Sequence, residues 1–521
     1  MAVRVYSGQL VGLKASIVDV EVDLSQGLHS FSVVGLPDKA VEESKDRISA
    51  AIKNSKFISP QKKNQRVTVS LAPADLKKEG PVFDLSIALA YLLASKQILF
   101  DPRHRMFLGE LALDGTVRPI KGSLLLVKHA NESGFKEIFL PRENAREAAL
   151  IRGVTIFGCG SLKEVTDHFK KESETSKPIR LSPQPGTTIE SQAPLEENIY
   201  DFSDIKGQET AKRGLEIAAS GAHNVLMVGP AGTGKTMLAK AFAGILPPLS
   251  FDEMLEVTAI HSTAGILHGD FLVTRPFRSP HHTSSYVALV GGGTYPKPGE
   301  ITLSHRGVLF LDEFAEFDRK VIESLRQPLE DGLITVSRAR ESLVFPARFI
   351  MVCTMNPCPC GNRGQKNKEC VCSQSALMRY ERKISGPIAD RIDLWLEVPQ
   401  VNYEKLSSNE MREELSKNIQ SRVLKARELQ ERRFEPLKSR TRKRVFVNSE
   451  MTARDLKSFA PLNPEIKKLL NQAAEKLDLS ARAYHKVIKL ARTIADLEGA
   501  EDIRENHILE ALQYRPKAVM Y

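Results

Sequence analysis

The sequence predicts an α/β protein of several domains, and three patterns along the chain support this prediction. Residues 1–171 alternate short β-branched runs with helix-like stretches, as mixed α/β domains do. Residues 201–400 contain three apolar runs with the length of buried parallel strands, each leading into polar residues, which is a doubly wound α/β pattern. Residues 401–521 show helical periodicity. A chain of 521 residues has room for these domains at about 150 residues each.

Two features mark the boundaries of these regions. Residues 172–200 are rich in Ser, Thr, Pro and Gln and poor in large apolar residues, so we predict an interdomain linker there. In the last region, Asn463 before Pro464 marks the start of one amphipathic helix, and Ser480 marks the start of another that stops at Gly499. We expect these helices to form a small helical lid.

Composition and charge exclude several classes of protein. Hydrophobic residues make up 42% and charged residues 26%, which argues against a disordered or fibrous chain. No run approaches the roughly 18 apolar residues of a membrane span, and the N-terminus lacks the apolar stretch of a signal peptide. We therefore expect a cytoplasmic protein with no membrane partner. The net charge of +10 favours a polyanionic partner without identifying one.

A phosphate-binding loop follows the first buried run. Val225–Val228 leads into GPAGTGKT, which is G-x-x-x-x-G-K-T in the strand-loop-helix context that this motif requires. The glycines let backbone N–H groups turn toward phosphate oxygens, while a lysine charge and a threonine hydroxyl serve the β and γ phosphates and Mg²⁺. The predicted nucleotide-binding residues are Gly229, Pro230, Ala231, Gly232, Thr233, Gly234, Lys235 and Thr236.

Polar residues also follow the second and third runs. Val308–Leu311 delivers Asp312 and Glu313 to the carboxyl end of a strand, where ligands collect in open α/β sheets. We predict that Asp312 joins Thr236 in holding Mg²⁺ and that Glu313 polarises the attacking water, so ATP hydrolysis is the expected chemistry. Asn356 follows the third strand and can reach the same water or the γ-phosphate.

These residues resemble the AAA+ ATPases, with Gly229–Thr236 as Walker A, Leu309–Glu313 as Walker B and Asn356 as sensor 1. The resemblance implies a ring, usually of six subunits, in which an arginine of one subunit completes the site of its neighbour.

Two arginines fit a more specific resemblance. Asp390-Arg391-Ile392-Asp393 is similar to the D-R-[IF]-[DG] motif of the magnesium-chelatase and MCM-like clade, which makes Arg391 the candidate finger. Arg482 matches the sensor 2 position of that clade. For each side chain, an ordinary surface or ion-paired residue is the alternative.

Two insertions carry features that suit contact with DNA. The first spans about residues 250–300 and contains RPFRSPHHTSS, and the second, Leu333–Arg348, alternates as a hairpin does and carries Arg338 and Arg340 near its tip. In the clade these are the helix-2 insert and the pre-sensor-1 hairpin, which point into the pore, so the arginines are expected to contact phosphates of a DNA strand. A solvated hairpin face is the alternative. The basic run Arg432–Arg444 is either a second backbone contact or a hinge.

Four cysteines follow Asn356 in the pattern C-x-C-x₉-C-x-C, namely Cys358, Cys360, Cys370 and Cys372. Four thiolates joined by a polar loop suit a structural Zn²⁺ site, and free thiols are the alternative. Cys159 and Cys353 lie in or beside apolar runs and are expected to be buried packing residues. His281 and His282 are adjacent and cannot share a helical face, so we interpret them as loop residues rather than a metal pair.

The first region, from about Val3 to Val165, resembles the S5-like α/β fold of the Lon protease C-terminal domain. Active Lon domains use a serine nucleophile in a G-P-S-A-G turn and a lysine base. Here the turn is Gly80-Pro81-Val82-Phe83-Asp84, and Leu124 stands where the lysine would be. With Val82 and Leu124 at those positions, peptide hydrolysis has no nucleophile or base. A collar for assembly or DNA contact is the expected role.

The whole chain, including RPFRSPHHTSS and NPCPCG, is similar to the YifB/ComM family of magnesium-chelatase-like proteins. The resemblance implies a hexameric ATP-dependent helicase that migrates branched DNA and helps single strands to integrate during natural transformation and recombination. A protein remodeller or a chelatase subunit of the same clade would share every nucleotide residue named above. A DNA scaffold with a structural nucleotide is a third reading.

Overall fold

The computed structural model describes residues 2–170, 180–187, 200–267, 269, 271–292, 297–337, 342–365, 368–401, 413–435 and 445–516. It separates into two compact units, of which the first contains Met1–Ala193 with Phe251–Val273, and the second contains Pro194–Ser250 with Thr274–Tyr521. The predicted α/β class is confirmed in both units. The division at residues 171, 200 and 400 stays a prediction, and most of the predicted linker lies outside the described residues.

A mixed sheet forms the centre of the first unit. Among the described residues it has seven strands in the order β3-β4-β2-β1-β5-β8-β9, in which β1–β2 and β2–β4 are antiparallel and the other pairs parallel. On β2, Val18, Val20 and Val22 are buried alternately, as one-sided packing requires. The strands are β1 (Val3–Val11), β2 (Lys14–Gln26), β3 (Ser30–Val34), β4 (Gln65–Ala72), β5 (Arg105–Phe107), β8 (Glu137–Pro141) and β9 (Thr155–Cys159), with the short pair β6 (Glu110–Leu111) and β7 (Val117–Arg118).

Helices pack on this sheet through apolar faces. Helix α2 (Asp84–Ala94) is apolar except for Asp84, Ser86 and Tyr91, and it is buried from Asp84 to Leu92, as a core helix is. The helices are α1 (Lys39–Asn54), α2 (Asp84–Ala94), α3 (Ser123–Glu132), α4 (Ala145–Ala148) and α5 (Leu162–Phe169).

The turn that resembles the Lon nucleophile segment leads into α2. Gly80 has φ +78°, and Asp84 is buried beside Arg47, whose Nε lies 3.1 Å from its carboxylate. Burial raises the pKa of Asp84 to about 7, against the opposing charge of Arg47. Val82 is partly buried and Leu124 is buried on α3, so both packing roles are apolar.

One segment that the sequence placed in the ATPase insertion belongs to the first unit. Helix α8 (Phe251–Ala264) packs against α3 through a buried face that includes Met254, Val257 and Ile260. The Gly122 N–H at the start of α3 donates to the Ser262 hydroxyl at 3.0 Å. The insertion at residues 250–300 is therefore divided, because the apolar face of its first half is covered by the first unit.

The second unit is built on a parallel sheet. Its described strands run in the order β11-β14-β17-β10-β18. Every residue of β10, β14 and β17 is buried, which explains the continuous apolar runs in the sequence. The strands are β10 (Val225–Val228), β11 (Phe277–Arg278), β14 (Val308–Leu311), β17 (Ile350–Met355) and β18 (Leu394–Glu397), and a two-stranded pair is formed by β12 (Gly291–Gly292) and β13 (Lys297–Pro298).

Helices surround this sheet and continue into the C-terminal region. The predicted caps are confirmed, because the side chains of Asn463 and Ser480 accept hydrogen bonds from Ile466 N and Ala483 N. The helices are α6 (Glu209–Gly221), α7 (Lys235–Gly244), α9 (Tyr286–Val290), α10 (Glu300–Leu303), α11 (Arg319–Ser324), α12 (Arg326–Asp331), α13 (Gln374–Glu381), α14 (Gly386–Ala389), α15 (Ser416–Phe434), α16 (Ala453–Phe459), α17 (Pro464–Lys476), α18 (Ala481–Leu497) and α19 (Glu505–Gln513). Within the described part of the chain, every helix is too short or too polar to cross a bilayer.

The predicted hairpin is present. Strands β15 (Leu333–Ser337) and β16 (Ser342–Pro346) pair antiparallel, from Leu333 opposite Pro346 to Ser337 opposite Ser342. Arg338 and Arg340 lie outside the described residues, so their predicted contact with DNA stays a prediction. The hairpin follows α12 directly, with Gly332 at φ +66° between them.

Candidate nucleotide site

The glycine-rich loop connects the buried strand β10 to α7. Gly232 and Gly234 have φ values of +77° and +88°, a left-handed backbone that only glycine adopts at little cost. A Cβ on Gly229 would lie 2.1 Å from the Val398 carbonyl oxygen, so this position also excludes a side chain. The loop therefore brings backbone N–H groups to the start of α7, where an anion is favoured by the helix N-terminus.

Lys235, the first residue of α7, is folded over this loop. Its side-chain ammonium donates to the carbonyl oxygens of Gly229 and Pro230, both at 2.7 Å, and approaches Asn356 Oδ1 at 3.4 Å. The residue is only 9% exposed, and burial lowers its pKa while the charges of Asp312 and Glu313 oppose that shift. The structure thus brings together the predicted lysine and the predicted sensor amide.

Asp312 joins the loop to the neighbouring strands. Its Oδ2 accepts a hydrogen bond from the Thr236 hydroxyl at 3.0 Å, and its Oδ1 accepts one from the Thr354 hydroxyl on β17. Both predicted magnesium ligands are therefore in contact, each presented from the carboxyl edge of the sheet. Thr354 was missed by the sequence reasoning because a threonine inside an apolar strand carries no motif.

Glu313 occupies an unusual backbone conformation. Its φ is +53°, in the left-handed region that costs a residue with a Cβ about 1–2 kcal/mol. Its N–H donates to the Thr354 hydroxyl at 3.2 Å, which holds the turn after β14. The side chain is 56% exposed, and His282 Nδ1 lies 3.7 Å from Glu313 Oε2. His282 was interpreted from the sequence as an ordinary loop residue, and its place beside the predicted base is visible only in the fold.

The predicted finger Arg391 and the predicted sensor 2 residue Arg482 meet at a single carboxylate, that of Glu330. Arg391 Nη2 donates to Glu330 Oε2, and Arg482 Nη2 lies 3.9 Å from Glu330 Oε1. Arg391 Nη1 also donates to the Pro387 carbonyl oxygen at 2.5 Å, while its Nε is a buried nitrogen with no hydrogen-bond partner among the described residues. Both arginines therefore lie beside α12, the helix that precedes the hairpin.

A buried ionic cluster fixes the segment that carries Arg391. The Asp393 carboxylate pairs with Lys486 Nζ at 2.9 Å and accepts from the Asn224 N–H at 3.0 Å. The Asn224 side chain donates in turn to the Arg391 carbonyl oxygen at 3.0 Å. Although burial opposes it, Lys486 and His223 together hold the pKa of Asp393 far below its usual range. Lys486 lies one turn after Arg482 on α18, so this pair ties both arginine segments together.

The four predicted zinc ligands also converge. The Sγ atoms of Cys358, Cys360, Cys370 and Cys372 all lie within 4.8 Å of one another. Cys358 and Cys360 are 3.4 Å apart, and Cys370 lies 3.7 Å from each of them. A tetrahedral ion with Zn–S bonds of about 2.3 Å requires S···S separations of about 3.8 Å, so the arrangement suits such an ion. Cys159 and Cys353 are buried, as predicted.

Known proteins are similar to this chain over almost its whole length. The chain is 42% identical to the competence protein ComM of Haemophilus influenzae over 516 residues, which cover 98% of this chain and 97% of that protein. The chain belongs to the YifB/ComM family. A second family member, the uncharacterized protein YifB of Salmonella typhimurium, is 40% identical over 98% of this chain and 96% of its own length.

Models of magnesium chelatase subunits match three parts of this YifB/ComM family chain. Residues 201–406 match magnesium chelatase, subunit ChlI; residues 20–144 match subunit ChlI of Mg-chelatase; and residues 413–515 match the ChlI C-terminal model. The magnesium-chelatase 67 kDa subunit of Chlorobaculum parvum is 30% identical over 160 residues, which are 30% of this chain and 23% of that protein. The second unit is thus magnesium-chelatase-like, of the AAA+ type.

Proposed function

We propose that this protein is a ring-forming ATPase that moves along single-stranded and branched DNA. The observation that carries the ATPase part is the convergence of Lys235, Thr236, Asp312, Glu313 and Asn356 at the carboxyl edge of one parallel sheet. In this arrangement Lys235 binds phosphate, Glu313 orients and polarises water, and Asn356 senses the γ-phosphate. The catalytic work is then positioning and charge stabilisation.

The geometry around Asp312 fits Mg²⁺ as the second cofactor. The oxygen atoms of Thr236 and Asp312 are 3.0 Å apart. Adjacent ligands of an octahedral Mg²⁺ with bonds of about 2.0–2.1 Å are about 2.9 Å apart, so the two side chains match its coordination shell. Thr236 and Asp312 would hold the ion, which would supply positive charge to the phosphates. Asp312 is held for this task by the Thr354 hydroxyl.

The ring supplies what a single subunit lacks. Arg391 and Arg482 both contact Glu330 on α12. In the magnesium-chelatase-like clade, an arginine at the position of Arg391 serves the nucleotide of the neighbouring subunit, and Arg482 matches the sensor 2 position. Guanidinium groups stabilise the charge of a transferring phosphoryl group, which is a large part of the catalysis in such ATPases. We therefore propose a homo-hexamer with shared sites and a C-terminal helical lid that carries Arg482.

DNA is the proposed partner for three reasons. The net charge of +10 favours a polyanion, the hairpin β15–β16 carries Arg338 and Arg340 in its tip segment, and the relative with 42% identity is named a competence protein. Arginines at the tip would contact phosphates without reading bases. The cellular role proposed is branch migration that supports integration of DNA during natural transformation and homologous recombination, in the cytoplasm.

Two further parts complete the proposal. The four-cysteine cluster is a structural Zn²⁺ site, because its sulfur separations match tetrahedral thiolate coordination. The first unit is a Lon-like domain without protease activity, since Val82 and Leu124 supply neither a nucleophile nor a base.

A second candidate is favoured by the magnesium-chelatase models that match the chain: an AAA+ remodeller or chelatase subunit whose ATPase is indifferent to DNA. Measuring ATP hydrolysis with and without forked DNA, together with displacement in a three-strand junction, separates the two. DNA stimulation and ATP-dependent displacement are expected. An unstimulated rate with an unmoved junction would leave the remodeller reading.

The variant Glu313→Gln separates either enzyme from a DNA scaffold with a structural nucleotide. Replacing the predicted base should lower hydrolysis about 100-fold or more while nucleotide still binds. Hydrolysis at the unmodified rate would remove Glu313 from the site.

A further inference from the structure

The four-cysteine loop starts where the candidate ATPase site ends. Strand β17 is buried to Met355, Asn356 follows it, and Cys358 comes two residues later with its side chain fully buried. Asn356 approaches Lys235 at 3.4 Å on one side. Only one residue, Pro357, separates the amide from the first thiol. Any movement of Cys358 is therefore transmitted to Asn356 through a single intervening residue.

The loop also folds back over the phosphate-binding loop. The Gly361 N–H donates to the Cys358 carbonyl oxygen at 3.0 Å, and Gly361 has φ +74°. A Cβ on Gly361 would lie 3.9 Å from the Asn356 amide and 4.0 Å from Ala231 Cβ. The turn at Gly361 therefore lies close to both the predicted sensor and the predicted phosphate loop, with room for about one methyl group between them.

An apolar core does not explain how the loop keeps this position. Between Cys360 and Cys372 the residues are mainly Gly, Asn, Arg, Gln, Lys and Glu. The apolar side chain between the second pair of thiols, Val371, is 83% exposed. The cysteines instead turn toward one another, and the Arg363 N–H donates to Cys358 Sγ at 3.4 Å, as backbone amides do around metal-bound thiolates.

The far side of the loop is anchored to α13. Ser373 caps this helix immediately after Cys372, and Arg363 lies 3.8 Å from Glu381 near its end. Tyr380 on the same helix is buried, and burial together with the Glu316 charge raises its pKa. The thiol cluster thus holds together a loop that begins at the end of β17 and ends at the start of α13.

We propose that the cysteine cluster binds one zinc ion whose role is to position Asn356 and the turn at Gly361 for catalysis. The inference rests on the proposed ATPase function and adds a dependence to it: zinc is needed for hydrolysis and not for nucleotide binding. Lys235 and the glycine loop are held by β10 and α7, so affinity survives loss of the ion. Asn356 would lose its support, and displacement of a catalytic group by about 1 Å costs about 100-fold in rate.

The test compares the full-length protein with a Cys370→Ser, Cys372→Ser variant and with Cys159→Ala, a buried cysteine of the first unit, as control. We expect about one zinc per chain in the parent and control and almost none in the double variant. The turnover number of the double variant should fall about 10- to 100-fold, with nucleotide Kd within about threefold. Hydrogen exchange at Asn356 and Gly361 should rise in the double variant alone.

Each outcome bears on one claim. A parent protein without zinc overturns the site, and a zinc-free variant with parental turnover and parental exchange at Asn356 overturns the positioning role. If the parent binds zinc and hydrolyses no ATP, the proposed function fails, while the exchange measurement still decides whether the ion positions Asn356. Should the double variant fold poorly, parent protein loaded with Co²⁺ tests the metal site directly. Tetrahedral thiolate coordination produces characteristic visible absorption bands, and their absence would contradict the site.

Discussion

At the carboxyl edge of the parallel sheet, Lys235 and Asp312 contact the residues with which they are predicted to act. Arg391 and Arg482, which are distant from each other in sequence, instead contact Glu330. The first group is preformed: Lys235 is 9% exposed and held by three oxygen atoms. In the second group the side chains of Arg482 and Glu330 are 61% and 57% exposed, while that of Arg391 is 11% exposed.

This difference suits the proposed ring, in which each subunit supplies one part of a shared site. A buried lysine held at 2.7 Å is a fixed part of one subunit. The pair between Arg482 and Glu330 is exposed on both sides, and such a pair is worth only about 0–1 kcal/mol and is readily exchanged for another anion. We infer that Glu330 holds the arginines until the phosphates of a neighbouring subunit replace it. In the proposed ring, hydrolysis would then depend on assembly, and nucleotide binding would not.

The largest effect is expected from Lys235→Ala, which removes the charge that meets the phosphates. Nucleotide binding and hydrolysis should both disappear, as measured by fluorescent-nucleotide titration and phosphate release. Lys240→Ala, an exposed lysine on the same helix α7, is the control and should retain both. Retained nucleotide affinity in Lys235→Ala would contradict the role of Lys235 in phosphate binding.

Arg391→Ala should separate binding from turnover. Loss of a finger that stabilises the transferring phosphoryl group is expected to lower the turnover number about 1,000-fold while nucleotide Kd changes less than about threefold. Arg391→Lys keeps the charge and loses the planar fork, so it should rescue only in part. Arg379→Ala, an exposed arginine bonded to its own helix, serves as control. Parental turnover in Arg391→Ala would mean that the arginine is an ordinary ion-paired residue.

The double change Arg338→Ala with Arg340→Ala should leave hydrolysis without DNA unchanged and stop strand movement. The reason is that these arginines are proposed to contact phosphates of DNA and to lie away from the nucleotide. Junction displacement and salt-dependent DNA affinity are the measurements. Lys467→Ala with Lys468→Ala, two exposed lysines on α17, removes the same charge elsewhere and should displace normally. Normal migration by the arginine variant would place the DNA contact outside this hairpin.

The smallest effect is expected from Glu330→Gln, which weakens the hold on both arginines. If this carboxylate competes with phosphate, turnover in the assembled protein should rise by up to about fivefold, the equivalent of about 1 kcal/mol. Glu323→Gln, which breaks the pair with Arg326 on the adjoining helix, is the matched control and should change nothing. A large fall in turnover would instead make Glu330 part of the catalytic arrangement.

Much of the preformed group around Lys235 and Asp312 could be predicted from the sequence, because its sequence signals are local. A four-residue apolar strand, a glycine loop and a helix follow one another without interruption at Val225–Gly244. The hairpin Leu333–Arg348 and the cysteine spacing are likewise written within short segments, and the structure reproduces the hairpin and brings the four thiols together. Short-range patterns determine these elements before the chain folds.

The contacts of the second group, around Arg391 and Arg482, could not be predicted, since each joins residues far apart in sequence. Glu330 and Arg391 are 61 positions apart, and Asn224 lies 167 positions from the Arg391 carbonyl that it contacts. Nothing in a local pattern indicates such pairs. The same applies to α8, whose apolar face could have been covered by either unit. His282 reaches Glu313 for the same reason, through the pairing of β11 with β14.

Mixing two inactive variants tests most directly whether the nucleotide sites are shared between subunits. Glu313→Gln keeps its arginines and lacks the base, while Arg391→Ala keeps the base and lacks the finger, so each alone should hydrolyse almost no ATP. In mixed rings about one interface in four combines an intact Glu313 with an intact Arg391 of the neighbour, and activity should return far above the sum of the two variants. Activity of the mixture equal to that sum, with mixed assemblies verified, would contradict the account.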